Sequence, residues 1–155
     1  MTTDRNTLRA TLRKNFPRSR GQLLPALHFL HEEFGYLPDW AMEVTGWHLG
    51  IPVSEVYGAA TSYTELRVEK PGRHVVRVCT GLSCWLSGGS EILDRLQTQL
   101  KIKAPGTTPD NNVTLEEASC AFMCGMAPVV ELDGGYTGRA TPESVESLIP
   151  QAADA

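Results

Sequence analysis

The hydrophobic period of this chain changes once, and that change constrains the fold more than any other feature. Up to about residue 65 the apolar side chains recur at helical spacing, most clearly as Leu23, Leu24, Leu27, Leu30 and Phe34, the stripe of an amphipathic helix. Beyond Glu69-Lys70-Pro71-Gly72, a linker by composition, His74-Val75-Val76-Arg77-Val78-Cys79 is short and β-branched and follows a glycine-containing turn. That reads as a strand. The expectation is an α/β chain, with a helical N-terminal region over residues 1–70 and a small sheet-containing domain over 71–155.

Within the helical part, Ser19 to Gly21 can start a helix that takes Pro25 in or near its first turn and ends at Gly35. Asp39 is the expected cap of a helix through Trp40, Val44 and Trp47 to about Leu49, and Ser54 that of a short helix to about Thr61. In the second part, Gly88-Gly89-Ser90 opens a helix with the stripe Ile92, Leu93, Leu96 and Leu100. Pro105 to Asn112 reads as a loop and Val113 to Glu117 as a strand. Val129 to Leu132 and Tyr136 to Gly138 form a hairpin about Asp133-Gly134-Gly135, and Pro142 to Ile149 a last helix. The order β-α-β-β-α predicts one open sheet, and residues 151–155 are expected to be disordered.

At 155 residues the chain is near the usual size of one domain, so one core with a small helical appendage is expected. No apolar run is long enough to span a bilayer. With 14 basic and 18 acidic residues the formal charge is −4, the wrong sign for binding a nucleic-acid backbone. The first residues are polar and lack the apolar core of a secretory signal, which points to the cytoplasm. There cysteines more often serve metals or redox chemistry than disulfides.

Cys79, Cys84, Cys120 and Cys124 are spaced C-x4-C-x35-C-x3-C. Two pairs on two loops imply a single four-ligand site. Each pair lies where a strand gives way to a glycine-containing loop, which lets the backbone approach inorganic sulfide. Four thiolates suit structural zinc or an iron-sulfur cluster. Zinc sites favour C-x2-C pairs, a plant-type ferredoxin would need a third cysteine at Ser87, and no C-x-x-C of a dithiol enzyme occurs. Four unconnected buried cysteines are the plain alternative.

Around these cysteines the chain resembles a known family. The matching segments are Ile51-Pro52 through Val56-Tyr57-Gly58-Ala59-Ala60-Thr61-Ser62-Tyr63, Pro71-Gly72-Arg73-His74, Val78-Cys79-Thr80-Gly81-Leu82-Ser83-Cys84, Thr107-Thr108-Pro109-Asp110, Thr114-Leu115-Glu116, Cys120-Ala121-Phe122-Met123-Cys124-Gly125-Met126-Ala127-Pro128-Val129-Val130 and Tyr136-Thr137-Gly138. They are similar to the small two-iron subunit of NADH:quinone oxidoreductases, shared with NAD-linked formate dehydrogenases and NAD-reducing hydrogenases. The resemblance implies a thioredoxin-like domain holding one [2Fe-2S] cluster on Cys79, Cys84, Cys120 and Cys124. It further implies an electron-transfer subunit of an oxidoreductase, exchanging single electrons with the flavin of a partner. FMN and NAD(H) would sit on that flavin- and NADH-binding subunit, not on this chain, which lacks a G-x-G-x-x-G fingerprint. A zinc-stabilised docking module and a thiol-redox regulator are the competing readings.

Two residues depart from the family pattern. Phe122 stands between the last two cysteines where relatives often have glycine, and Ser62 where many have phenylalanine. All-cysteine ligation on an acidic chain implies a potential of roughly −300 to −450 mV, lower still if the Phe122 ring excludes water. Trp85 either shields the cluster or lines its exit surface. Trp40, Trp47 and Tyr57 serve as a partner patch or as core aromatics. His28 and His31 have metal-ligand spacing but no third ligand, so packing or solvation is the ordinary account. Ala127-Pro128 precedes a strand where thioredoxin-like folds place a cis proline, well above the roughly 5% cis of X-Pro bonds in general.

Overall fold

The computed structural model describes residues 4–149; the expectation for residues 151–155 lies outside them. The chain divides between Lys70 and Pro71 into two compact units.

The first unit contains four helices: α1 (Arg5–Asn15), α2 (Leu23–Phe34), α3 (Asp39–Leu49) and α4 (Val53–Ser62). Asp4 caps α1, its carboxylate accepting the Thr7 N–H at 2.7 Å, which satisfies one of the donors a helix start leaves open. A 3-10 turn, Arg20–Gln22, leads into α2, so Pro25 falls in the first turn, where a missing N–H costs nothing. Gly35 and Gly50 close α2 and α3 with φ of +74° and +75°, backbone that a Cβ would strain.

The caps expected at Asp39 and Ser54 fall elsewhere. Pro38 and Pro52 occupy the cap positions with extended ψ near 140° and no side-chain cap bond. A proline fixes φ and leaves the first turn free of a ring clash, so the acids Asp39 and Glu55 act inside the first turns instead, where the helix dipole favours negative charge.

Leu8, Leu12, Leu27, Leu30, Leu37, Met42 and Val56 are fully buried in the helical unit. The second unit has its own cluster, in which Val76 and Val78 pack with Ile92, Leu96, Leu115 and Val145. The single core expected from chain length is therefore corrected to two. Four amphipathic helices suffice to close one apolar interior, and the sheet closes another.

That sheet has five strands ordered β2-β3-β1-β4-β5: β1 (His74–Cys79), β2 (Gly106–Thr107), β3 (Val113–Ala118), β4 (Val129–Leu132) and β5 (Gly135–Gly138). β1 and β3 are parallel; the other neighbours are antiparallel. β2, two residues long, pairs with β3 inside the stretch expected to be a loop. Two residues give no alternation to read; only the partner strand makes them a strand. The helices of this unit are α5 (Leu82–Leu86), α6 (Gly89–Leu100) and α7 (Pro142–Leu148). α7 begins with a reciprocal capping box between Thr141 and Ser144. Both Ala104-Pro105 and Ala127-Pro128 are cis, so the topological expectation holds at the second.

On the central strand, Arg77 lies opposite Glu116 of β3 and Glu131 of β4 in register. Its Nε donates to Glu116 at 2.9 Å, and a guanidinium nitrogen is 3.8 Å from Glu131. All three side chains are mostly buried. Arg77→Met keeps the aliphatic stem but removes the cation that lies between two like charges. The expected loss of stability is about 2 kcal/mol, below the 3–5 of a fully buried pair because some water remains, read from the urea midpoint.

Candidate functional site

The parallel pairing of β1 and β3 ends at Cys79↔Ala118, so Cys79 and, two residues past β3, Cys120 come to the same edge of the sheet. β4 runs the other way, with Val78 opposite Val130. Its first residue, Val129, therefore starts at that edge too, five residues after Cys124. Cys84 is carried there by α5, whose first turn is closed by the Trp85 N–H donating to the Gly81 carbonyl at 2.8 Å. Strand direction, not sequence proximity, brings the two cysteine-bearing loops beside each other.

All four are free thiols; Cys79 and Cys84 are buried, whereas Cys120 and Cys124 are exposed. Cys79 and Cys84 pack with Val129, Ala121, Met123 and Ala127 and are within hydrogen-bonding reach of each other. Backbone donors serve the sulfurs: Ala121 N–H to Cys79 Sγ at 3.4 Å and Phe122 N–H to Cys120 Sγ at 3.3 Å. Burial pushes the Cys79 thiol up, but the Ala121 and Gly81 N–H groups and the Cys84 thiol outweigh it, so Cys79 lies below the ordinary thiol range. Burial and then the Cys79 thiol push Cys84 above it. Of the pair, Cys79 ionises first.

Two glycines make this approach possible. A Cβ on Gly81 would stand 3.0 Å from the Ser119 carbonyl oxygen and 3.6 Å from Cys120 Sγ, so a bare backbone lets the first cysteine loop lie against the second. A Cβ on Gly89 would stand 2.8 Å from the Cys84 carbonyl oxygen and 3.0 Å from that of Cys79. The sequence marked Gly89 only as a helix opener; nothing local signals that it packs on both cysteine carbonyls. The N–H groups of Ala121 and Phe122 were equally illegible, since any residue type but proline supplies them.

Cys124 heads a 3-10 turn, Cys124–Met126, closed by Ala127 N–H to the Cys124 carbonyl at 3.3 Å. The turn is tied to the hairpin where Arg139 N–H donates to the Met126 carbonyl at 2.7 Å. Among the described residues no three His, Cys, Asp or Glu side chains converge closely enough to hold one metal ion.

Phe122 corrects an expectation. Its ring is 92% exposed, so it does not screen the cysteines from water, and the lowering of potential attributed to such screening falls away. Its φ of +56° supplies the reason for a glycine at this place: the loop turns through the left-handed region, which a side chain resists. Trp85 also faces outward, together with Leu82 and Leu86, so it is no lid.

The remaining sequence candidates do not join the site. His28 Nε2 lies 3.4 Å from Glu65, whereas His31 Nε2 faces Arg67 at 3.3 Å, so the two turn to different partners. His48 bonds the Phe16 carbonyl at 2.9 Å, and His74 bonds Asp133 at 2.7 Å. Trp40 packs edge-on against Phe34, ring centroids 5.5 Å apart, as a core aromatic. Trp47 and Tyr57 are exposed.

The chain is similar to known proteins over most of its length. The profile of the family described as thioredoxin-like [2Fe-2S] ferredoxin matches residues 9–153. The NADP-reducing hydrogenase subunit HndA of Solidesulfovibrio fructosivorans is 28% identical over 138 residues, covering 89% of this chain and 81% of that protein. An NADH-quinone oxidoreductase subunit of Pseudomonas aeruginosa is 34% identical over 130 residues, 84% of this chain and 78% of its own. Among solved structures, an NAD+-reducing [NiFe]-hydrogenase in the H2-reduced state superposes with a TM-score of 0.69 at 19% identity over 86% of this chain. The present chain spans only 22% of that hydrogenase chain, so the likeness is one of fold. No helix among the described residues is long and apolar enough to cross a membrane.

Proposed function

Because the chain belongs to the thioredoxin-like [2Fe-2S] ferredoxin family, we propose that it is a one-electron carrier subunit whose cluster is held by Cys79, Cys84, Cys120 and Cys124. The observation that carries this reading is the collection of two free cysteine pairs at one sheet edge, with backbone N–H groups aimed at their sulfurs. The donor set fits the group: four soft thiols, no competing carboxylate or imidazole ligand among them, and bare glycine backbone where the two loops meet. When bound, the cluster supplies a site that accepts and releases one electron at a time.

The chain's own residues set the conditions for that exchange. Val129, Ala121, Met123 and Ala127 keep water from Cys79 and Cys84. The N–H groups of Ala121 and Phe122 place positive dipole ends against sulfurs that become more negative on reduction. Cys120 and Cys124 lie at the surface, which brings electrons within reach of a partner. By likeness to the hydrogenase and oxidoreductase subunits above, that partner is the flavin- and NADH-binding subunit of a larger complex; FMN and NAD(H) belong there, and no hydride site is assigned to this chain.

Anaerobically purified protein is expected to contain about two iron and two acid-labile sulfide per chain, with a potential of roughly −300 to −450 mV. Iron and sulfide analysis together with an EPR-monitored titration tests this. Stoichiometric zinc without iron would instead establish the zinc-stabilised docking module.

A further inference from the structure

Residues 5–20 carry five arginines and one lysine and no acid. Arg5 and Arg20 are neutralised at home, by Glu43 at 2.9 Å and Glu55 at 2.5 Å. Arg9, Arg13 and Arg18 are not: among the described residues no carboxylate pairs with any of them. Arg9 and Arg13 are one turn apart on α1 and share a face. With Arg18, and with Val44, Trp47 and His48 of α3, they line a groove of about 360 Å³.

We propose that this groove binds a carboxylate-rich segment of a partner protein. Like charges gathered in one groove repel unless an anion offsets them, and although the chain has four more acids than bases, no acid of the described residues lines this groove. Guanidinium forks match carboxylates in geometry as well as charge. Two of the three are also held in place by the chain itself. Arg9 lies over the Trp47 ring, 5.4 Å from its centroid, and Arg18 lies against Gly50, where even a Cβ would come within 3.4 Å of its guanidinium. Less side-chain freedom then remains to be lost on binding. A small phosphate would want donors converging on one point. Here about 6 Å of helix rise separates Arg9 from Arg13, Arg18 continues the row, and Val44 and Trp47 give the groove an apolar side. That is the shape of a site for an extended acidic segment. The inference does not depend on the cluster assignment.

The test uses the full chain and a fluorescently labelled hexaglutamate peptide, followed by anisotropy at about 10 mM and about 150 mM salt, between which the screening length falls from about 30 to about 8 Å. The peptide is expected to bind, and more weakly at the higher salt. The triple variant Arg9→Gln/Arg13→Gln/Arg18→Gln should lose affinity by about tenfold or more with unchanged circular dichroism, and Arg5→Gln/Arg20→Gln by less than about threefold. Equal losses in the two variants would reduce the effect to net charge and overturn the proposal, as would no binding at low salt. Inorganic pyrophosphate displacing the peptide at concentrations below the peptide's own dissociation constant would overturn it in favour of a small-anion pocket.

Discussion

Cys79→Ala is expected to give a colourless protein that retains little of the wild-type iron, with the circular dichroism of the helical unit preserved. Cys79 ends the central strand, is buried, and accepts the Ala121 N–H at 3.4 Å. On the proposed ligation, its loss leaves one iron short of a thiolate in the least solvated part of the site, where no water-borne ligand easily substitutes. Because such a site forms only as the polypeptide folds around it, ligand loss also lowers the stability of the sheet unit. Cys79→Ser separates ligation from packing: an oxygen of similar size should keep a perturbed cluster or a reduced yield of it. Iron analysis and the visible spectrum measure both variants. A Cys79→Ala protein with full iron and an unchanged spectrum would remove this residue from the ligand set.

Gly89→Ala should be nearly as damaging although it removes no ligand. The added Cβ would meet the carbonyl oxygens of Cys84 and Cys79 at 2.8 and 3.0 Å. These are main-chain atoms fixed by the end of β1 and by α5, so neither can swing aside as a side-chain tip would. Overpacking of this kind costs about 1–3 kcal/mol, and relief by shifting α6 would displace both buried cysteines. The expected readouts are a lower urea midpoint and faster loss of iron to a chelator. Gly58→Ala supplies the contrast: a Cβ there meets nothing within 4 Å in the middle of α4, so it should stabilise by about 0.5–1 kcal/mol. A Gly89→Ala protein as stable and as iron-rich as wild type would show that α6 does not press on the cysteine carbonyls.

Long elements were legible because their period repeats. Ile92, Leu93 and Leu96 mark α6, and the β-branched run from His74 marks β1, since each places several apolar side chains on one face. α5 and β2 were not, because five and two residues hold too little of a period to read. The caps at Asp39 and Ser54 were misplaced for a related reason. Local propensity favours both residues at a helix start, but the prolines before them already fixed the extended entry.

By itself the sequence determined the division into a helical and a sheet-containing part, the pairing of cysteines by their spacing, and the family those motifs resemble, all properties of residues close along the chain. Tertiary structure alone decided that the chain has two cores rather than one, and that the Phe122 ring turns to water. It also decided that Gly89 packs against two carbonyls and that three arginines line one groove with no acid of the described residues among its lining. Each of these depends on which distant segment arrives beside a residue. Strand direction and helix docking set that, through hydrogen bonds and contacts whose partners no local pattern names.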